Sequence, residues 1–457
     1  MLTPSAQPGT NVFGIFPDPL PIQPVARPVV GVAPVPGSKS ITNRAFALAA
    51  LSGGPTYLGN ALFADDTARM RDCLTALGFN VEASEAHETV TVHGHGGRVP
   101  SERAELFVGN SGTTARFITP LAALGRGIYT LDGVARMRER PMGDLLSALQ
   151  ELGVQAESLG ANGCPPIRLE ARGLHGGTCR IRADTSSQFL SGLLLAAPCA
   201  EGNRATHIHL EGPILSAPYI AMTTAMVRQF GGAVEQPDER TFLIPAGQTY
   251  RSPGFYAVEP DASAASYFLA AAAITNGRVR IPHVGRELLQ GDWAFADVLE
   301  AMGCRVSRGD DFIEVHGTGI LRGVTWDMNA ISDTVMTLAA VAPFADSPTV
   351  IENVGHIRHK ETDRLHAVAV ELERLGIRVE ERADGLTIYP AAHLRPAVVQ
   401  TYDDHRMAMA FALVGLHSPG VQIADPGCVA KTFPDYWQRL ARLAAGESPL
   451  PAETASE

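Results

Sequence analysis

Hydrophobic and polar positions follow a pattern along this chain that recurs six times. A short alternating run leads into polar and glycine residues, and a stretch of small apolar residues follows. The six passages are "VVGVAPVPGSKSITNRAFALAAL", "AELFVGNSGTTARFITPLAAL", "CRIRADTSSQFLSGLLLAA", "FYAVEPDASAASYFLAAAAI", "VTWDMNAISDTVMTLAAVA" and "VVQTYDDHRMAMAFALVGL". With Ser40, Gly112, Ser187, Ser263, Ser332 and His405 as markers, successive copies lie 72, 75, 76, 69 and 73 residues apart. Alternation with period two predicts a strand, and the longer apolar stretch predicts a buried helix. Each copy continues with a β-rich run such as "THIHLEG" or "TVIENVG", then a helix ending in "LQELGV", "VLEAMGC" or "ELERLGI". Two alternating runs close it. The unit is β-α-β-α-β-β, and the fold class is α/β.

A fixed period implies stacked equivalent units. The sixth copy ends after "DYWQRLARL" without closing strands, while a surplus strand, "PVVGVAPV", precedes the first. That surplus strand is expected to join the last unit and bring the chain ends together. Three units per domain then place a domain of 39–258 inside one built from 28–38 plus 259–446. Residues 1–27 are proline-rich and lack Lys or Arg before Arg27. They are expected to be a disordered extension, and 447–457 a flexible tail. Equivalent units send their helices the same way, so helix N-termini, which favour anions, gather on one face of each domain. Two such faces opposed across an interdomain cleft would make an anion trap.

Charge sharpens this picture. The 457 residues include 37 Lys+Arg against 48 Asp+Glu, a formal net charge of −11. Such a balance argues against nucleic-acid and membrane-surface partners, so an anionic ligand needs a local basic cluster. No apolar run reaches the roughly 18–20 residues a bilayer requires. The six cysteines show no CxxC spacing and read as reduced cytosolic thiols.

The cluster sits at the helix mouths. The first set of turns holds Lys39, Ser40 and Arg44, then Asn110, Gly112, Thr113 and Arg116, then Ser186, Ser187 and Gln188, then Asp261, Asp333, Asp404, His405 and Arg406. The second set holds Arg136, Arg140, Ser216, Tyr219, His356, Arg358, Lys360, Glu361, Arg364 and Lys431. One serine or aspartate in such a place is ordinarily a cap, and one arginine a solvated charge. Cations recurring at equivalent positions of an acidic protein are not explained that way. In "HKETDRL", Lys360 and Arg364 share a helical face and Glu361 lies three residues before Arg364. A carboxylate among cations suits a proton carrier beside bound phosphate. Asp333, between Ile331 and Val335, reads as a partly buried acid with a shifted pKa. Asp65 and Asp66 read as a helix cap and a surface partner for Arg69. His356 and His359 lack a third ligand at metal-site spacing, and neither a P-loop nor a G-x-G-x-x-G fingerprint is present.

"PGSKSITNRA", "GNSGTTAR", "SSQFLSGLLLAAP", "DASAASYFLAAAAI", "QGDWAFADVLE", "HKETDRL", "YDDHRMAM" and "AKTFPDYW" together resemble the 5-enolpyruvylshikimate-3-phosphate synthase family, from about Arg27 to Leu440. The resemblance implies two domains of three repeat units each, of the inside-out α/β barrel type, closing on a cleft. It implies transfer of the enolpyruvyl group of phosphoenolpyruvate to the 5-hydroxyl of shikimate 3-phosphate, with release of phosphate, in the shikimate pathway. It further implies a cytoplasmic, monomeric enzyme with small-molecule substrates and no metal or other cofactor. By resemblance, Lys39, Asn110, Gly112, Arg136, Gln188, Arg364, Arg406 and Lys431 would hold phosphoenolpyruvate. Lys39, Ser40, Arg44, Ser186, Ser187, Gln188, Ser216, Tyr219, Asp333, His356 and Lys360 would hold shikimate 3-phosphate. Asp333 would be the base toward the hydroxyl, Glu361 the acid toward the methylene, and Lys39 close to both. His356 stands where many members have asparagine. The rival is the related transferase acting on UDP-N-acetylglucosamine, which resemblance links to a reactive loop cysteine; Cys164 in "GANGCPPIRL" is the candidate. Gly112 keeps the small residue typical of forms inhibited by glyphosate. Glyphosate is therefore expected to inhibit turnover at phosphoenolpyruvate near its KM, and unchanged turnover at high glyphosate would refute this.

Overall fold

The computed structural model describes residues 16–182, 186–285 and 287–450. One repeat shows the plan. Strand Arg103–Phe107, helix Gly112–Ala123, strand Arg126–Asp132, helix Gly143–Glu151 and strands Gln155–Ser158 and Ile167–Arg172 follow in order. The first two strands pair in parallel, the third and fourth pair with each other antiparallel, and the fourth lies beside the second. A parallel pair needs a crossover, which the first helix supplies. Sheets with the same strand order contain Thr178–Arg182 and Thr325–Asp327.

The helix of each crossover is buried all round. Every residue of Lys39–Leu51 and of Gly112–Ala123 is buried, and so is all of His405–His417 except its last residue. Such helices belong in a core, because no polar stripe is left to face water. Side chains of Ser38, Ser111, Ser186, Asp261 and Asp404 accept from backbone N–H groups two or three residues on and cap five of these helices. Lys39–Leu51, Gly112–Ala123 and Ser187–Ala196 touch one another within one core; Ala262–Thr275, Val335–Val341 and His405–His417 do so in a second. Close approach needs small residues, and a Cβ on Gly192 would lie 2.2 Å from the carbonyl oxygen of Arg116.

The two cores divide the chain. One runs from Ile41 to Val258, and the other joins Ile22–Val35 to residues from Ala262 onward. The chain crosses between them twice, and the crossings lie side by side. Gly37 bridges Pro260 antiparallel; the Ser38 amide donates to the Glu259 carbonyl at 2.8 Å and the Asp261 amide to the Pro36 carbonyl at 2.9 Å. A Cβ on Gly37 would come within 1.8 Å of the Asn60 carbonyl oxygen, so this crossing accepts only glycine.

The crossings also correct the expected strand pairing. The surplus strand Val30–Val32 pairs in parallel with Arg278–Pro282, in the fourth unit rather than the last. That edge is open because the fourth unit's own leading strand, Phe255–Ala257, pairs with Ser52–Gly59 of the first unit. First and fourth units thus exchange leading strands. The last unit's sheet, Ala397–Val399 with Val421–Ile423, is completed by Leu20–Pro21.

Residues 16–27, expected within a disordered extension, are therefore held in place. Ile22 is buried and donates to the Val421 carbonyl, and the Phe16 ring meets Trp437 edge-on at 6.5 Å. Proline-rich composition misled here, since an edge strand tolerates proline. The start of the expected tail is also engaged, as the Ser448 carbonyl accepts from the Val32 amide at 2.8 Å. Residues 1–15 and 451–457 lie outside the described residues.

Gly192→Ala should lower unfolding free energy by about 1–3 kcal/mol through overpacking. Gly53→Ala, where a Cβ meets nothing within 4 Å, should stay within about 0.5 kcal/mol. Denaturation midpoints of the two variants provide the check.

Candidate active site

A cleft lies between the two cores, walled by both. Lys39, Ser40, Asp66, Gly112, Thr113, Arg140, Ser187, Gln188, Ser216 and Tyr219 come from one half; Ser332, Asp333, Lys360, Glu361, Arg364 and Arg406 come from the other. Helix starts put them there. Lys39, Gly112 and Ser187 are the first residues of buried helices, and Arg406 is the second residue of another. The helix ends add partial positive charge. Five cations and three carboxylates line the wall, a formal surplus of two (5 − 3) in a chain of net −11.

The charges form one network. Arg364, 1% exposed, donates to Asp404 at 2.7 and 3.2 Å, to Glu361 at 2.9 Å and to Asp333 at 3.4 Å. Arg406 donates to Asp333 Oδ2 at 2.6 Å. Lys431 Nζ lies 3.1 Å from Asp66 and 3.9 Å from Glu361, and Lys39 Nζ lies 3.6 Å from Asp66. Burial pushes Asp333 up, but Arg406, Lys360, Arg364 and Lys39 outweigh it and hold the carboxyl far below its ordinary range. Burial likewise pushes Glu361 up, and Arg364, Arg140, Lys431 and His405 bring it well below normal. Both stand as carboxylates. Burial, helped by Arg364 and Arg140, pushes Lys360 down to about 8 against the pull of Asp333 and Glu361.

Most expected residues meet at this wall, and six lie off it. Arg44, 1% exposed, sits behind Ser40 and Tyr219, donating to Thr223 at 2.7 Å and to the Ser40 carbonyl at 2.9 Å. Ser186 caps its helix. Asn110 turns its carbonyl to Arg140 at 3.0 Å and Lys431 at 2.9 Å. Lys431 stands behind Asp66 and Glu361, and His356 Nε2 lies 3.4 Å from Ser216 Oγ.

Arg136 lies beside the wall, lining an adjoining pocket with Arg140 and Glu361. It sits on the Ala135–Glu139 turn, pairs with Glu139 at 2.7 Å, and donates to the backbone carbonyls of Lys360 and Glu361. The cation on the wall from this segment is Arg140, 4% exposed. "ARMRER" offers three arginines, and the one nearest the following helix, Gly143–Glu151, reaches the cleft.

Asp66 is corrected. Its carboxylate is buried beneath Lys39 and Lys431, while Arg69 pairs with Asp72 at 3.2 Å. Ala64, not an aspartate, occupies the cap position. Thr113 and Ser332 complete the wall beside residues already singled out. A Cβ on Gly112 would lie 2.2 Å from Arg116 Nη1 and 2.4 Å from Arg140 Nη2, so it would displace these guanidinium ends.

Known proteins similar to this chain share one family. The model of the EPSP synthase family (3-phosphoshikimate 1-carboxyvinyltransferase) matches residues 25–440. A 3-phosphoshikimate 1-carboxyvinyltransferase of Trichormus variabilis is 49% identical over 93% of this chain and 99% of its own length. That of Serratia proteamaculans is 49% identical, covering 93% and 99%. The structure of the EPSP synthase of Acinetobacter baumannii superposes with a TM-score of 0.76 at 26% identity, over 93% of this chain and 97% of that one.

Burial, with Lys360 and Arg364, pushes His356 down to about 3. The unfolded chain therefore binds a proton that the folded chain refuses between about 6.5 and 3. Stability is lost as pH falls through that window, by about 1.4 kcal/mol per unit for one such group. His356→Asn should flatten the dependence by that slope, as measured by denaturation midpoints from pH 4 to 7.

Proposed function

Because this chain belongs to the EPSP synthase family, we propose that it transfers the enolpyruvyl group of phosphoenolpyruvate to the 5-hydroxyl of shikimate 3-phosphate, releasing phosphate. One observation carries the reading: two ionised carboxylates, Asp333 and Glu361, held by a single arginine inside a cleft with surplus positive charge. Arginine forks suit the carboxylate and phosphate groups of both substrates, and lysines add point charge. Lys39, Asn110, Gly112, Arg136, Gln188, Arg364, Arg406 and Lys431 take phosphoenolpyruvate, and Arg140 adds charge on the wall beside them. Ser40, Ser187, Ser216, Tyr219 and Lys360, backed by Arg44, Ser186 and His356, take the acceptor.

The chemistry needs a base and an acid. Asp333, already ionised, takes the proton of the acceptor hydroxyl as its oxygen bonds to C2 of phosphoenolpyruvate. The methylene carbon takes a proton from Glu361 and becomes a methyl group in a tetrahedral intermediate. In the second step that methyl group returns a proton, the C–O bond to phosphate breaks, and phosphate leaves with the bonding pair. Glu361 must therefore gain a proton before it can act as an acid. Anions arriving at Arg364, Arg140 and Lys431 draw off the charges that depress it, so substrate binding raises its proton affinity.

The UDP-N-acetylglucosamine rival is not supported. Cys164 is buried, burial pushes its thiol up, and Sγ lies 3.7 Å from the Asn162 carbonyl. A raised thiol is a poor nucleophile. We take residues 28–38 with 259–446 as one domain and 39–258 as the inserted one, a division supported by the two cores. The described cysteines are free thiols, in keeping with a cytoplasmic protein, and we take it to act as a monomer.

Phosphate release from phosphoenolpyruvate, measured with each acceptor offered separately, tests the reading. Shikimate 3-phosphate should support turnover and UDP-N-acetylglucosamine should not. Asp333→Asn and Glu361→Gln should each lower kcat by about 10²–10⁴. Full turnover in either variant would remove that residue from its role.

A further inference from the structure

Beside the proposed base lies a second carboxylate that the reaction above does not use. Asp292, on the Gly291–Ala294 turn, is wholly buried. Its Oδ2 accepts from the Tyr219 hydroxyl at 2.6 Å, Gln290 Nε2 at 2.9 Å and Ser263 Oγ at 3.3 Å. Its Oδ1 has no partner among the described residues. The same Tyr219 hydroxyl lies 3.4 Å from Asp333 Oδ2. A hydroxyl has one proton to donate, and these distances commit it to Asp292.

We propose that Asp292 is a positioning residue for Asp333, holding the Tyr219 proton away from the carboxylate that must accept the substrate's. The proposal rests on the reading of Asp333 as base. A tyrosine hydroxyl donated to Asp333 would stabilise its ionised form and weaken it as a proton acceptor. The contact also crosses the cleft, because Tyr219 belongs to one core's half and Asp292 and Asp333 to the other. The Asp292 turn rides against the start of the Tyr219 helix: a Cβ on Gly291 would lie 2.6 Å from Pro218 Cβ. Tyr219 thus reaches both carboxylates only where the halves meet, and there Asp292 takes its proton.

Asp292 also responds to pH. Tyr219 faces it from the Ala217–Gln229 helix, Ser263 from Ala262–Thr275, Asp333 from the Asn329–Thr334 turn, Arg406 from His405–His417, and Gln290, itself near Asp261, from its own segment. Burial and the Asp333 charge push Asp292 up to about 6, while Tyr219, Gln290 and Arg406 hold it down. Above that pH the charged carboxylate grips the tyrosine proton more strongly and raises the proton affinity of Asp333. Turnover is therefore expected to rise with pH through this region.

Full-length enzyme with Asp292→Ala, Asp292→Asn, Tyr219→Phe and Asp292→Ala/Tyr219→Phe is assayed by phosphate release from pH 5 to 8. Asp292→Ala should lower kcat by roughly ten- to a hundredfold, part of what a positioned base contributes, with little change in KM for phosphoenolpyruvate. Adding Tyr219→Phe removes the misdirected hydroxyl and should recover kcat, though KM for shikimate 3-phosphate rises as in Tyr219→Phe alone. Asp292→Asn keeps an acceptor for Tyr219 but no charge, so it should hold kcat at the native enzyme's low-pH level and lose the enzyme's limb near pH 6. The limb from the substrates' own phosphates is common to both enzymes. Equal kcat in Asp292→Ala and the double variant, or an unchanged limb in Asp292→Asn, would overturn the proposal. If Asp292→Ala does not fold, the pH profile of Asp292→Asn decides alone. Full turnover in Asp333→Asn would instead sink the reading of the base itself.

Discussion

The site depends on one guanidinium. Arg364 is buried and meets Asp404, Glu361 and Asp333 at once, three carboxylates from three chain segments. None could stay ionised out of water alone, because desolvating an unpaired carboxylate costs several kcal/mol. Arg364 cannot release its proton, so it fixes their charge as well as their position. Asp404 in turn caps the His405–His417 helix and accepts from the Arg406 amide, so the same contact aims Arg406 at Asp333. Break it, and the cap, the base and the acid lose their common reference.

The architecture explains why such a network sits here. Three mutually touching, largely buried helices lie in each core, and helix starts bring Lys39, Gly112, Ser187 and Arg406 to the cleft wall. The first amides of a buried helix have neither an intrahelical carbonyl nor water to bond, so its mouth needs a cap. Serines serve three mouths of the inserted half, and aspartates serve two of the other. The neutral caps leave their mouths positive, whereas Asp404 draws the Arg364 guanidinium to itself and Asp261 accepts from the Lys39 backbone amide at 3.0 Å. Cap chemistry thus distributes charge across the cleft.

Much of this was legible in the chain. The six-fold alternation gave the repeat, the helix mouths and the turns that carry the cations, because periodicity and capping are local. Lys39, Asp333, Glu361 and Arg364 were found that way, and the structure brings them to one cleft. What the pattern missed was set by contacts distant in sequence. Nothing local distinguishes Val30–Val32 joining its own unit from Val30–Val32 exchanging with Phe255–Ala257. Arg136 and Arg140 are both arginines of one turn, and only packing against Gly112 ranks them. Asp66 resembled a surface acid because Lys431, its partner at 3.1 Å, lies 365 residues further along. Asp292 carried no signal, as "QGDWAFADVLE" reads equally well as an ordinary helix start.

The exchange of leading strands has a consequence for catalysis. Because the first and fourth units exchange leading strands, each strand stays with its own core, the two crossings run side by side at Gly37 and Pro260, and polar contacts join the halves elsewhere. Tyr219 with Asp292, Arg136 with the Lys360 and Glu361 carbonyls, and Lys431 with Asn110 all cross between halves. These contacts exchange readily with water when they part, unlike an apolar interface. The cleft space in this arrangement is about 30 Å³, on the order of one water molecule. Anionic groups entering it compete with Asp66, Asp333 and Glu361 for the same cations. Such anions therefore alter the charges around the carboxylates that those cations hold. Binding and proton transfer are coupled through the cations they share.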